Sequence, residues 1–307
     1  MNTSIDKKRI LIYLAFAFGI AWLCALVIAL TGGIQNSPAV FGVPGFTLAL
    51  VLMAVVYMGA PAIAHVLTRC LTHEGWSNVK LRPHLKQGWP QWLAAWFLPG
   101  VLTIIGAAVY FLIFPARFDS SLTLVKSLAS QAAASGAVIS PVMLIALQTV
   151  QAMLISPLVN GLFTFGEEFG CRAYLLPKLM PLGGRRAVLV SGVIWGLWHA
   201  PVIAMGHNYG FGYFGAPWTG ILMMTVFTVA IGTFLSWAVL RAGSVWPAVI
   251  GHAAIDGSSA LGVLVLLGSP DALLGPAPVG IIGMAGWLIM AALILLNPVA
   301  LAPEEAA

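Results

Sequence analysis

Apolar residues in this chain run in long unbroken stretches, without the alternation of a sheet or the single-face stripe of a soluble helix. Eight stretches approach the ~20 residues that a helix needs to cross a bilayer. They lie at about 10–31, 45–67, 91–114, 143–166, 187–205, 218–240, 246–268 and 278–300. Strands of a membrane barrel would alternate apolar and polar positions, so continuity argues for helices. The fourth stretch is the least regular. Its apolar sequence starts near Val138 and includes Pro141 and Pro157, so a kink is expected, or a helix running on toward Lys178. Between the runs, the Ala- and Ser-rich segment from Pro115 to Ser140 reads as a surface helix or an irregular loop. His207–Trp218, rich in Gly and aromatics, suits an interfacial turn. Internal repeats, low-complexity tracts and a second unit are not evident. The expected fold is all-α: one transmembrane domain over 1–307, a polytopic bundle of about eight spans.

Composition supports the same picture. The chain is 60% hydrophobic and 7% charged, against roughly 25% charged residues in soluble domains. So little polar surface cannot coat a water-soluble fold of 307 residues. The bilayer must solvate most side chains, and each backbone amide within it must find an internal partner. The net charge of +5 does not point to nucleic acid, because the basic residues form no stripe. They sit in short loops. With the N-terminus inside, the inner segments hold Lys7, Lys8, Arg9, Arg69, Lys80, Arg82, Lys86, Lys178, Arg185, Arg186 and Arg241, and the outer ones only Arg117 and Lys126. That bias places both termini on the cytoplasmic side. The first apolar run is too long for a signal-peptide core and reads as an uncleaved span. Cys24, Cys70 and Cys171 have no paired spacing, so each reads as apolar filler or a free thiol.

Against this apolar background the ionisable residues stand out. A charge at the bilayer centre costs at least ~2.5–3.5 kcal/mol, so one that persists usually faces a cavity or a partner. Glu167, Glu168, Arg172, His199, His252 and Asp256 fall in or at the edge of the later spans, and His65 ends the second, where it should face headgroups. Glu168 and Arg172 are four apart in the favourable order for a helical ion pair. Glu167 lies about 100° around the helix and is left out of that pair, as a general base would be. Gly192, Trp195, Gly196 and His199 share one helical face. The Gly192–Gly196 pair lets another helix approach closely. Ala248, His252 and Asp256 share a face, so His252 and Asp256 can touch, and a carboxylate beside an imidazole fixes its tautomer. Each feature also has a plain structural reading: an interfacial ion pair, a packing histidine, a buried His–Asp pair. His73 and His84 read as solvated and His207 as interfacial. Together, three helices bring the acid and base groups that activate water, directly or on a metal.

The three motifs resemble a known family. Glu167-Glu168-Phe169-Gly170-Cys171-Arg172, Trp195-Gly196-Leu197-Trp198-His199 and His252-Ala253-Ala254-Ile255-Asp256 are similar, in order, to Glu-Glu-x-x-x-Arg, aromatic-x-x-x-His and His-x-x-x-Asn or Asp. This is the pattern of the type II CAAX prenyl endopeptidase and bacteriocin-processing enzymes, the CPBP or Abi family of intramembrane proteases. The likeness covers about 160–260, expected as the catalytic core. Trp195 departs from the family's common Phe but keeps an aromatic wall. Asp256 in place of Asn differs as a hydrogen-bond donor. The resemblance implies a hydrolase, a membrane-embedded CAAX-type endopeptidase whose cavity opens to the cytoplasmic side. Its substrate would be a membrane-associated, prenylated or hydrophobic protein or peptide. Glu167 would activate water with help from His199, His252 and Asp256 would stabilise the oxyanion or bind a metal, and Arg172 would hold Glu168. His199, His252 and Asp256 are the candidate ligands if zinc is used, giving a metalloprotease. They lack the compact His-Glu-x-x-His spacing of many zinc proteases, so a metal-free Glu/His mechanism stands beside that reading. The expected location is the bacterial cytoplasmic (inner) membrane. Two other classes fit the same residues: a proton-coupled transporter, which often shows internal repeats, and a non-catalytic scaffold or regulator.

Overall fold

The computed structural model describes residues 4–43, 45–134 and 136–302. The termini expected on the cytoplasmic side, 1–3 and 303–307, lie outside the described residues. Six helices are long and apolar enough to cross a membrane. They are α1 (Lys7–Leu30), α2 (Leu48–Leu71), α3 (Leu85–Ile113), α5 (Pro141–Leu182), α8 (Trp218–Ala242) and α9 (Trp246–Ser258, continuing in turns to Val265). Shorter helices are α4 (Thr123–Ala134), α6 (Gly184–Trp198), α7 (Ala200–Ala204) and α10 (Ala285–Leu296). Among the described residues there are no strands, only three isolated bridges.

The apolar runs are therefore helical, but two of the eight expected spans fall short. The run at 187–205 breaks at His199, a turn residue between α6 and α7. Pro201, which brings no backbone N–H and crowds the carbonyl four residues back, accounts for the break. The run at 278–300 keeps only the 12 residues of α10 as helix. Gly280 and Gly283 precede it in tight turns whose backbone leaves no room for a Cβ, and Pro298 comes after it. The fourth run does continue past the expected end, as one helical segment to Leu182 with π turns at Gln151–Ile155 and Cys171–Leu175.

Local chemistry sets several helix ends. Asp6 accepts from the Arg9 amide and Thr47 from the Leu50 amide. Ser140 accepts from the Met143 amide, with Pro141 at the first turn. Gly243, at φ +62°, ends α8 in the left-handed region.

The surface is inverted relative to a soluble protein. Leu23, Leu30, Leu112, Leu162 and Leu296 face outward, whereas Arg69, Arg172, Glu168 and His65 have almost no exposed area. Only lipid makes that distribution favourable, and the chain is an integral membrane protein. α8 and α9 are the most enclosed of the long helices. α8 packs on α6 and α3, while α9 packs on α5 and α3. α2 lies between α1 and α5.

Candidate active site

The acidic pair sits where α5 meets α2 at backbone contact. A Cβ at Gly166 would run into the Met58 carbonyl and Gly59, and one at Gly170 into Pro61. These two glycines, four apart, bracket Glu167 and Glu168 and hold them against α2 in the manner of small-residue helix seams. Glu167 and Glu168 are both buried. Glu168 Oε1 accepts from Arg172 at 3.1 Å, as the four-residue spacing predicts. Glu167 is outside that ion pair but is not unbound. Its Oε2 accepts from the Trp195 indole Nε1 at 2.7 Å.

α6 supplies that indole. Its Gly192 and Gly196 lie against α8, where a Cβ would meet Val229, Thr225 and Thr228, so the close approach read from the sequence is present. Trp195 is thereby pressed into the interior, 2% exposed, where the Arg172 guanidinium lies 3.9 Å from its ring centroid. Gly232 of α8 leaves space beside that guanidinium. His199 is not deep within a straight helix as expected; it stands at the break between α6 and α7. Its Nδ1 donates to the Trp195 carbonyl at 2.8 Å, which leaves Nε2 as the nitrogen available to another group.

α9 brings His252 and Asp256. The expected His252–Asp256 contact is loose, at 3.8 Å from Nε2 to Oδ1. The carboxylate that orients His252 is instead Glu168, whose Oε1 lies 2.9 Å from Nδ1. The reason is geometric: α9 packs along α5, and the buried Glu168 reaches across, while Asp256 turns outward with 45% of its side chain exposed. Glu168 therefore links Arg172 and His252 through one oxygen.

Glu167, Trp195, His199, His252 and Asp256 all line one cavity of about 320 Å³. That volume lies at the lower end of ligand pockets, which hold ~300–1,000 Å³. Much of its wall is apolar: Met53, Tyr57 and Met58 from α2, and Phe227 and Ile231 from α8. Glu168 and Arg172 stand behind it. The convergence of the three motifs on one hollow, expected from the sequence, is what the fold produces.

Among the described residues no three His, Cys, Asp or Glu side chains are grouped to hold an ion. His199 and His252 each commit Nδ1 to a protein acceptor and keep Nε2 for another group, and Asp256 Oδ1 stands 3.8 Å from His252 Nε2. The three free cysteines take no part; Cys24 and Cys171 are buried and Cys70 is exposed.

Comparison with known families bears on the segment that carries this geometry. Residues 142–258 match the family model Type II CAAX prenyl endopeptidase Rce1-like. The match takes in all three motifs and starts earlier than the 160–260 core read from the sequence, at the beginning of α5. The resemblance drawn from the motifs thus holds for the Rce1-like segment. No curated protein matches the chain.

Other residues were misplaced or missed by sequence reasoning. His65 does not face headgroups; it has no exposed surface and bonds to the Phe169 carbonyl and Arg69. His207, read as interfacial, lines the cavity beside Asn208, and burial holds its imidazole below the ordinary value. Tyr57 donates to the Trp198 carbonyl at 2.6 Å and forms part of the wall. A signal existed for the α2 seam, since Gly166 and Gly170 are four apart. None existed for His207, which the chain reversal after α7 carries inward.

Proposed function

We propose that this protein is an intramembrane endopeptidase that hydrolyses a peptide bond of a membrane-associated or prenylated, hydrophobic protein or peptide. The observation that carries the reading is the meeting of Glu167, His199 and His252 on one cavity with an apolar wall, within a segment that matches the Rce1-like family.

The chemistry is assigned to side chains alone. Glu167 has one oxygen held by the Trp195 indole, and its other oxygen, Oε1, takes a proton from a water in the cavity. The resulting hydroxide attacks the carbonyl carbon of the scissile bond. The oxyanion forms beside His252, which acts as an imidazolium: its Nδ1–H donates to Glu168 Oε1 and its Nε2–H donates to the oxyanion. The proton held by Glu167 passes to the leaving nitrogen, assisted by His199 Nε2, and the C–N bond breaks to give a carboxylate and an amine. Arg172 keeps Glu168 in place and touches no substrate. Asp256 stands at the open side of the cavity, where it meets the substrate chain. The apolar wall of Met53, Met58, Phe227 and Ile231 accommodates aliphatic side chains. These steps use side chains alone; among the described residues no three His, Cys, Asp or Glu side chains are grouped to hold an ion. With the basic loops on the cytoplasmic side, Met53, His199, His207, Asp256 and Ser259 sit at or just past the opposite ends of their helices, so the cavity opens away from the basic side and not toward the cytoplasm as the resemblance implied.

The test is cleavage of a quenched-fluorescent farnesylated peptide by the purified protein in lipid nanodiscs. Glu167→Gln keeps the Trp195 contact but removes the base, and should abolish turnover while the protein stays monodisperse. Undiminished turnover would remove Glu167 from its role.

A further inference from the structure

The buried histidine that no motif contains lies one helix away from the acidic pair. His65 of α2 is wholly enclosed. Its Nδ1 is 2.9 Å from the Phe169 carbonyl, and its Nε2 is 2.6 Å from Arg69 Nε. A carbonyl only accepts and a guanidinium only donates, so the two partners fix one tautomer, Nδ1–H. Its ring packs on Phe169 at 4.3 Å and on Tyr174 at 4.6 Å.

Arg69 continues the connection. It donates to the Gly75 carbonyl and, at 2.8 Å, to Asn78, and it lies beside Glu74. Glu74 in turn accepts from Lys178 at 2.5 Å and from the Tyr174 hydroxyl at 3.1 Å, and meets Arg9 of α1 at 3.3 Å. Tyr174 and Lys178 are on α5. The polar chain therefore leaves α5 at Phe169 and returns to it at Tyr174 and Lys178. Between Phe169 and Lys178 lies the π turn Cys171–Leu175, which contains Arg172 and Tyr174. A π turn inserts extra backbone into the helix and rotates the residues beyond it relative to those before; such turns are frequent at functional sites. Contacts that hold both sides of it set how Glu167 and Glu168 face Arg172, Trp195 and His252.

We propose that His65 is a positioning residue of the active site: it clamps the Phe169 carbonyl at the edge of the π turn and so fixes the orientation of the Glu167–Glu168 pair. The proposal deepens the protease reading and rests on it for the kinetic part.

Two near-isosteric variants separate the two ring nitrogens. His65→Asn places an amide N–H near the Nδ1 position and keeps the Phe169 bond, but falls short of Arg69. His65→Gln reaches Arg69 with its amide oxygen and leaves the Phe169 carbonyl without its donor. Both are made in the full chain, in nanodiscs, with the farnesylated peptide as probe. Misplacement of reacting groups by ~1 Å costs on the order of 100-fold in rate. His65→Gln should therefore lower kcat by about 10- to 100-fold with KM within about twofold, and His65→Asn should retain most of kcat. A second readout needs no activity. Dicyclohexylcarbodiimide labelling of Glu168, measured by mass spectrometry, should rise several-fold in His65→Gln and stay at the parent level in His65→Asn. Equal behaviour of the two variants, whether both like the parent, both lost in proportion to thermal stability, or both unfolded, would overturn the proposal. An inactive parent would overturn the protease reading, while the labelling pattern would still decide the positioning role.

Discussion

Glu168 and Arg172 can be separated energetically, because each has a second partner. Arg172→Met removes one of two cationic groups from a carboxylate with no exposed surface. Removing one member of a buried pair costs about 3–5 kcal/mol, since the other charge is left in a low dielectric. His252 still meets the same oxygen at 2.9 Å, so the loss should fall at the low end, ~3 kcal/mol. Glu168→Gln leaves Arg172 without its carboxylate, yet its guanidinium keeps the face of Trp195 at 3.9 Å, and His252, left with only the 3.8 Å contact to Asp256, avoids a buried charge by giving up a proton. A desolvated cation–π contact contributes about 2 kcal/mol, so this variant should lose less, on the order of 2 kcal/mol. The double variant buries neither charge, and Met fills most of the space. Glu168 Oε2 and Arg172 Nε lack hydrogen-bond partners among the described residues, so the native pair contributes less than an ideal one. The double variant should therefore be at least ~2 kcal/mol more stable than the summed single losses require. Equilibrium unfolding in mixed micelles, titrated with dodecyl sulfate, measures all four corners. Cleavage gives an independent reading: Glu168→Gln and the double variant should both be inactive, because both lack the anchor for His252, whereas Arg172→Met keeps that anchor and should retain part of the turnover. Additivity within about 0.5 kcal/mol would refute the buried-pair argument, and an active double variant would refute the anchoring role.

Other contacts carry further expectations. Gly170→Ala drives a Cβ into Pro61 and should cost about 1–3 kcal/mol, whereas Gly183→Ala, where the space is open but φ is +88° and ψ 143°, should lose stability by backbone strain alone, about 1–3 kcal/mol; equal thermal stability of Gly170→Ala and parent would contradict the seam. Glu74 lies beyond the end of α2. Burial would raise its carboxyl, but the Lys178 bond and the Lys178 and Arg69 charges outweigh it and hold it below the ordinary 4.5. A lowered carboxyl stabilises the fold above the unfolded value and loses that contribution as pH falls through the folded one. Glu74→Gln should thus be less stable than the parent at pH 7 and converge with it only in acid, once pH falls through the lowered carboxyl of the folded state; a gap that persists below that point would break the argument. If Glu167 and the two histidines act without a metal, purified protein should carry well below one zinc per chain, and cleavage should survive chelation; stoichiometric zinc by emission spectrometry, with activity lost on its removal, would overturn the side-chain mechanism.

Much of the molecule was legible in one dimension. Long apolar runs dictate helices because lipid offers no partner for backbone amides, so composition alone determined the fold class and the membrane setting. The Glu168–Arg172 pair was legible for a similar reason: residues four apart on a helix are neighbours whatever surrounds them. The same local rule found the faces of Gly192, Trp195 and Gly196, and of His252 with Asp256. It failed where partners come from another helix. Spacing offered Asp256 to His252, but the packing of α9 along α5 gave it Glu168. Position near a helix end suggested a headgroup-facing His65, but the approach of α2 to α5 through Gly166 and Gly170 enclosed it. Pro201 hinted at a break that the apolar count concealed, and only the broken helix shows that His199 closes α6 instead of lying within it. Contacts within a few residues are set by helical geometry and are written in the sequence. Contacts between helices depend on crossing angle, rotation and local π turns, which arise from the packing of the whole bundle, and those decided which carboxylate faces the cavity, which is tied behind it, and what holds them there.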